Sequence, residues 1–219
     1  MPGRAPHTPF VSPAVADIER ASALCLRPAP GKLAGFFGAG AHRLALRALA
    51  RPLVAGEPVV AVDGGNRFDP YEIGKAERAL GGSGRAALSR ILVSRAFTCH
   101  QMEALLSRRL GPALDRSGAG IAVVFGLPET FADADVPYAE ACRVFRNCLS
   151  SLRRLAAGGT RVVLVGSGPP SPEGGDRAGF FRHLVRIADP CLLLRREGEG
   201  VMWRGTLLQH LAGDTLAIP

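Results

Sequence analysis

Gly38-Ala39-Gly40-Ala41-His42-Arg43 joins an apolar run to an amphipathic segment. Glycines at such a turn let backbone N–H groups approach a phosphate, and a helix start adds partial positive charge. His42 and Arg43 would add side-chain donors to that anion site; they equally fit the solvated first turn of a helix. Asp63 follows Gly38 by 25 residues and ends a second apolar run. A carboxylate at that distance beyond a G-x-G turn is the arrangement that grips a dinucleotide ribose. Arg43, however, occupies the place where that fingerprint has a third glycine for tight helix–strand packing. No hydride-transfer constellation follows, so an NAD(P)-binding enzyme ranks lowest among the readings.

Arg43, Arg47 and Arg51 recur at i, i+4 and i+8 and so form one stripe along a helix. The stripe could grip an acidic protein or a nucleic-acid backbone, or could simply keep a helix face in water. The arginine-rich composition fits the codon bias of a GC-rich genome or, as the sharper reading, a phosphate- or acid-binding surface. Basic residues outnumber acidic ones 27 to 19, for a net charge of +8, and only Lys32 and Lys75 among them are lysines. Arginine forks match phosphate and carboxylate oxygens in pairs. The excess falls in the first 120 residues. The stripe is therefore the best single candidate for an interaction surface.

Other chemistry is poorly represented. The five cysteines, Cys25, Cys99, Cys142, Cys148 and Cys191, include no C-x-x-C pair, so neither a disulfide framework nor a zinc site is expected. Ser167 in Gly166-Ser167-Gly168 lacks the G-x-S-x-G of a nucleophile elbow.

The elements that must position these residues follow from hydrophobic periodicity. Short apolar runs at Leu33–Phe37, Val59–Asp63, Ile91–Ser94, Ile121–Phe125 and Val162–Val165 read as parallel strands covered on both faces. Amphipathic helices are expected at about 41–51, 70–80, 98–110, 138–157 and 180–188. Cys191–Arg196 and Val201–Gln209 flank Gly198-Glu199-Gly200 and read as an antiparallel hairpin. Residues 1–30 form a Pro-rich arm with one short helix opened by Ser12 and Pro13, and 31–219 form the core domain. The fold class is α/β, three-layered, with a mostly parallel sheet flanked by helices and a C-terminal β-hairpin. No apolar run is long enough to span a bilayer and no signal-peptide core is visible, so the expected location is the cytoplasm.

Three stretches resemble the RecA/RadA recombinase family. Gly31-Lys-Leu-Ala-Gly-Phe-Phe-Gly38 sits where the strand entering the nucleotide loop belongs. Asp63-Gly-Gly-Asn-Arg-Phe-Asp-Pro-Tyr71, leading to Ala79-Leu80-Gly81, resembles the strand end and helix that follow. Ser94-Arg-Ala-Phe-Thr-Cys-His-Gln101 resembles the next strand-to-helix segment. The hairpin, around Leu194-Arg195 and Trp203, resembles the late strands of that core. The resemblance spans about residues 31–210 in the right order and implies a RecA-like fold.

The departures from the family decide what the resemblance implies. A P-loop needs G-x-x-x-x-G-K-[ST], because Lys reaches the β/γ oxygens and the hydroxyl holds Mg²⁺. Counting from Gly38 puts Leu44 and Ala45 there; aligning on Gly40 puts Ala41 and His42 there. The family's water-orienting glutamate, two residues after the aspartate ending the second strand, is replaced by Gly65. The Walker B strand, Ile121–Phe125, runs into Gly126-Leu127-Pro128 without its aspartate. The family's DNA-facing loops correspond to Glu129–Val136 and Gly166–Asp176, which carry Glu129, Asp133, Asp135, Glu173 and Asp176 and no Lys or Arg. Direct DNA contact would have to use other arginines, such as Arg108–Arg109 or Arg153–Arg154. Phe131-Ala-Asp-Ala134 matches the F-x-x-A with which recombinase subunits grip their neighbours, a short and common pattern.

The resemblance therefore implies a RecA-fold protein without NTP hydrolysis, needing no cofactor, that serves as an accessory in DNA repair or recombination. Its partner would be a protein such as a RecA-family recombinase or a repair polymerase. Non-hydrolysing analogies are SOS-associated proteins resembling ImuA, which support a mutagenic polymerase, and SulA, which blocks cell division. ATP or ADP binding without hydrolysis is the alternative.

Overall fold

The computed structural model describes residues 15–82, 84–168, 177–197 and 202–208. Seven strands form one sheet: β1 Leu33–Gly38, β2 Val59–Asp63, β3 Ile91–Arg95, β4 Ile121–Phe125, β5 Arg161–Gly166, β6 Ala188–Glu197 and β7 Met202–Leu208. Their order is β3-β2-β4-β5-β1-β6-β7. All pairings are parallel except β6 with β7, which are antiparallel, with Leu194 opposite Gly205. The hairpin thus closes one edge, as expected.

The helices are α1 Val15–Cys25, α2 Ala41–Val54, α3 Pro70–Ala79, α4 Cys99–Ala104, α5 Leu110–Ser117, α6 Tyr138–Ala157 and α7 Ala178–Ile187. Side chains alternate across each central strand, so β1 gives Ala34 and Phe36 to one core and Leu33 and Phe37 to the other. The first core holds α1, α2 and α3 against the sheet, and the second holds α4 to α7. Each fully buried Leu or Phe contributes about 1.5–3 kcal/mol of transfer free energy, and both faces are lined with them. This is the three-layer α/β arrangement of RecA-like and Rossmann-type folds. Ala21, Cys25 and Leu26 are buried in the first core, which ties the segment before Gly31 to the sheet.

Three expectations need correction. β3 is not covered on both faces: only Ile91 is partly buried, and Leu92 and Val93 are exposed at the open edge beside β2. An apolar run alone cannot tell an edge strand from a central one. The helix expected to stop near 110 runs on to Ser117, because a π turn over Leu105–Arg109 carries it past Gly111 and Pro112. α2 likewise outlasts Arg51 and contains Pro52 in its last turn. Ser12, Pro13 and the turn Gly198–Gly200 lie outside the described residues.

Local capping explains two of the helix starts. Asp69 accepts from the Tyr71 N–H at 2.9 Å and Pro70 occupies the first helical position of α3. Thr98 accepts from the Gln101 N–H while Gln101 Oε1 accepts from the Phe97 N–H at 2.8 Å, a reciprocal cap that opens α4. No helix among the described residues is long and apolar enough to cross a membrane.

Candidate functional site

Ligands of open α/β sheets bind beyond the strand C-termini, where neighbouring connections leave to opposite faces. The strand order creates such places at the end of β1 and on both sides of β2. β1 leads to α2 on the first face while its neighbour β5 leads to α7 on the second. β2 leads to α3 on the first face while its neighbours β4 and β3 lead to α6 and α4 on the second.

At the first place, only Ala39 and Gly40 separate the end of β1 from the first residue of α2. Gly40 is the N-cap in the left-handed region, and α2 opens without a side-chain cap or an acidic residue in its first turn. Gly38 is also left-handed, at φ 102°. A Cβ on it would meet the Leu194 carbonyl oxygen of β6 at 1.9 Å, so its glycine is demanded by the neighbouring strand. A P-loop cradle needs a longer loop, with four residues between its two glycines. Two residues cannot build one.

His42 lies in the first turn of α2, half-buried, and its Nδ1 is buried without a hydrogen-bond partner. Burial lowers its pKa, and Arg67 and Arg43 lower it further against the opposing pull of Glu72 and Asp69. The imidazole is therefore neutral at pH 7. The fold gathers His42, Arg43 and Arg67 at one helix start, as expected for the first two; Arg67 comes from the loop after β2.

The second place is filled. Asp63 is buried at the end of β2, and its Oδ1 accepts from the Arg67 N–H at 2.9 Å and its Oδ2 from the Phe68 N–H at 3.1 Å. Arg95 Nε lies 3.8 Å from Oδ2. Both oxygens thus hold the turn into α3, and the side chain is fully buried, so neither is open to a ribose. Beyond it, Gly64 and Gly65 pack against the chain leaving β4. A Cβ on Gly64 would stand 2.5 Å from Met102 Cε and 2.7 Å from Thr130 Cγ2. Gly65 is in contact with Gly126.

Glu129 is the residue whose role the sequence does not reveal. Its Oε1 accepts from the Ser167 N–H at 2.8 Å, joining the loop after β4 to the loop after β5, and its Oε2 is buried without a partner. Arg177 donates to the carbonyls of Phe131, at 2.7 Å, and Val136. These bonds hold the acidic loop in place, with Asp133 and Asp135 exposed. Nothing in local spacing links Glu129 to a backbone amide 38 positions away. Glu173 and Asp176 lie outside the described residues.

The arginine stripe has other commitments. Arg47 Nε lies 3.0 Å from Oε2 of Glu72, a buried carboxylate on α3, and Arg51 Nη2 lies 3.5 Å from Glu19 on α1. All three are exposed, but two of them bind α1, α2 and α3 together, and Arg43 is the one with no ion pair among the described residues. The five cysteines are free thiols, and burial pushes Cys148 and Cys191 up to about 12.

No protein-family model and no curated protein matches the chain.

Proposed function

We propose that the chain is a non-hydrolysing RecA-like protein that acts as an accessory binding partner in DNA repair or recombination, in the cytoplasm. The observation that carries this reading is the short turn after β1 together with the filled strand end at β2. The turn after β1 is two residues long, and glycine, Gly65, stands beside Gly126 where a hydrolytic glutamate would be needed. Phosphoryl transfer depends almost wholly on positioned charge and metal, and the corresponding side chains here are Leu, Ala and Gly. Asp63, engaged by two backbone amides, argues against NAD(P).

A protein partner is supported by the open edge of the sheet. Leu92, Val93 and Phe97 are 50%, 38% and 71% exposed along and just after β3, whose outer N–H and C=O groups have no strand beside them among the described residues. Such an edge is a template for another chain. The link to repair, and to a recombinase or repair polymerase as partner, rests on the resemblance over residues 31–210. A second reading, ATP or ADP held without hydrolysis, is favoured by the uncapped start of α2 beside Arg43 and Arg67.

The test is a turnover assay with ATP, with and without single-stranded DNA, beside a thermal-shift panel of ATP, ADP, NAD, NADP and DNA. Turnover near ~1 s⁻¹ that co-purifies with the protein overturns the reading. Stabilisation by ATP or ADP alone, of ~2.7 kcal/mol at 100 times the dissociation constant, selects the second.

A further inference from the structure

The helices α4 to α7, with the π turn, carry nine arginines against the carboxylates of Glu103, Asp115 and Glu140. The helices of this layer thus carry a local excess of arginine, which the acidic loop before α6 partly offsets. Within the layer, Arg146, Leu149, Ser150 and Arg153 of α6 and His183 of α7 line a cleft of about 470 Å³.

Arg146 and Arg153 are exposed and have no acidic partner among the described residues; the one glutamate of α6, Glu140, pairs with His100 and Arg143. Arg186 Nη2 lies 3.1 Å from His183 Nδ1. A guanidinium has no lone pair to offer, so this nitrogen accepts and the ring carries its proton on Nε2. Burial lowers the pKa of His183, and Arg186 and Arg153 lower it further, so the ring is neutral at pH 7. It also meets the Phe145 ring edge-on at 5.9 Å. The cleft thus has an apolar floor, a neutral hydrogen-bond donor and three uncompensated arginines around it.

We infer that this cleft between α6 and α7 binds a short acidic peptide carrying an apolar anchor, presented by a protein partner. The inference rests on the reading of the chain as a binding protein and names the chemistry its partner would present. Arginine favours such contacts because its fork pairs with carboxylates while its stem covers apolar surface. Complementing the helix dipole accounts for Arg153 near the end of α6 but not for Arg146 in its middle or for Arg186 across on α7. A nucleic-acid strand fits less well. Towards the start of α6 the charge reverses, through Glu140 to Asp135 and Asp133, which limits the favourable path to about two turns of helix, near 11 Å. A phosphodiester strand also has no use for the largely apolar lining of the cleft.

The probe is a fluorescein-labelled twelve-residue peptide of alternating Glu-Glu-Leu units, read by polarisation against the full chain. The comparison ligands are an all-Glu peptide of equal length and an oligothymidylate. The expected result is binding of the Glu-Glu-Leu peptide in preference to both, weakened about tenfold or more in R146Q/R153Q and unchanged in R108Q/R109Q, which removes the same charge elsewhere on the layer. Circular dichroism and thermal midpoints of both variants establish that the fold is kept. Absence of peptide binding, equal loss in the two variants, or tighter binding of oligothymidylate through Arg146 and Arg153 overturns the inference. ATP turnover by the same preparation would overturn the parent reading instead and leave a cleft-dependent peptide result standing.

Discussion

Gly126, just past the end of β4, lies so close to Gly65 after β2 that a Cβ on Gly126 would stand 2.4 Å from the Gly65 nitrogen. Gly126 is also left-handed, at φ 67°. Alanine there adds backbone strain to a clash with backbone atoms that cannot turn away. Gly126→Ala should lose about 2–4 kcal/mol of stability in urea titrations. Gly65→Ala meets its nearest backbone atom only at 3.5 Å, with a flexible Arg67 side chain at 3.1 Å, and should lose under about 1 kcal/mol. Equal losses at the two positions would contradict the packing described.

Asp63 has the charge of a ligand-binding residue and the hydrogen bonds of a structural one. Asparagine keeps its shape but replaces one accepting oxygen by an N–H donor facing a backbone N–H. Asp63→Asn should cost about 2–3 kcal/mol. Arg95→Gln should cost under about 1 kcal/mol, because the arginine is half-exposed and 3.8 Å away. Equilibrium denaturation of the two variants checks the order. A destabilisation by Arg95→Gln as large as that by Asp63→Asn would show the ion pair, not the amide bonds, to be the main restraint.

Arg43 and Arg47 are adjacent on one stripe yet should respond differently. Arg47→Gln leaves the Glu72 carboxylate, whose side chain is 10% exposed, with Lys75 at 4.0 Å as its remaining ion-pair partner. A loss of about 1–2 kcal/mol is expected. Arg43→Gln should stay within about 0.5 kcal/mol of the parent. Thermal melts of the single variants separate the effects, which a combined replacement of Arg43, Arg47 and Arg51 would merge.

The strands and most helices were legible because parallel strands buried on both faces are short unbroken apolar runs, as at Ile121–Phe125. Ile91–Ser94 has the same composition and lies exposed, since edge position depends on strand order, which local pattern does not encode. The end of α5 was hidden by Gly111 and Pro112, whose usual meaning is overridden by the π turn before them. At the strand ends, Gly38, His42 and Asp63 could be singled out by type and spacing. What holds them could not: Leu194 against Gly38 and Gly126 against Gly65 are contacts between segments far apart in the chain. The cleft between α6 and α7 was equally invisible, because Arg146, Arg153 and His183 converge only once two helices pack side by side.

The two neutral histidines give the folded state a pH dependence of definite sign. His42 and His183 both have pKa values lowered from 6.5 by burial first and by arginines second: Arg67 and Arg43 around His42, Arg186 and Arg153 around His183. Glu72 and Asp69 oppose the shift at His42 without reversing it. The unfolded chain therefore takes up these protons at higher pH than the folded one. Stability from both groups is complete above the unfolded value and is lost as pH falls through it towards the folded values. Carboxylates also titrate in acid, so the variant His42→Gln/His183→Gln supplies the comparison, since it lacks both imidazoles and keeps every carboxylate. Between about pH 7.5 and 5.5 the parent should lose more thermal stability than this variant, and the two profiles should converge in slope above about pH 7.5. A parent that gains stability relative to the variant on acidification would mean that at least one imidazole is better charged in the fold, with nearby carboxylates such as Glu72 and Asp69 at His42 outweighing burial and the arginines.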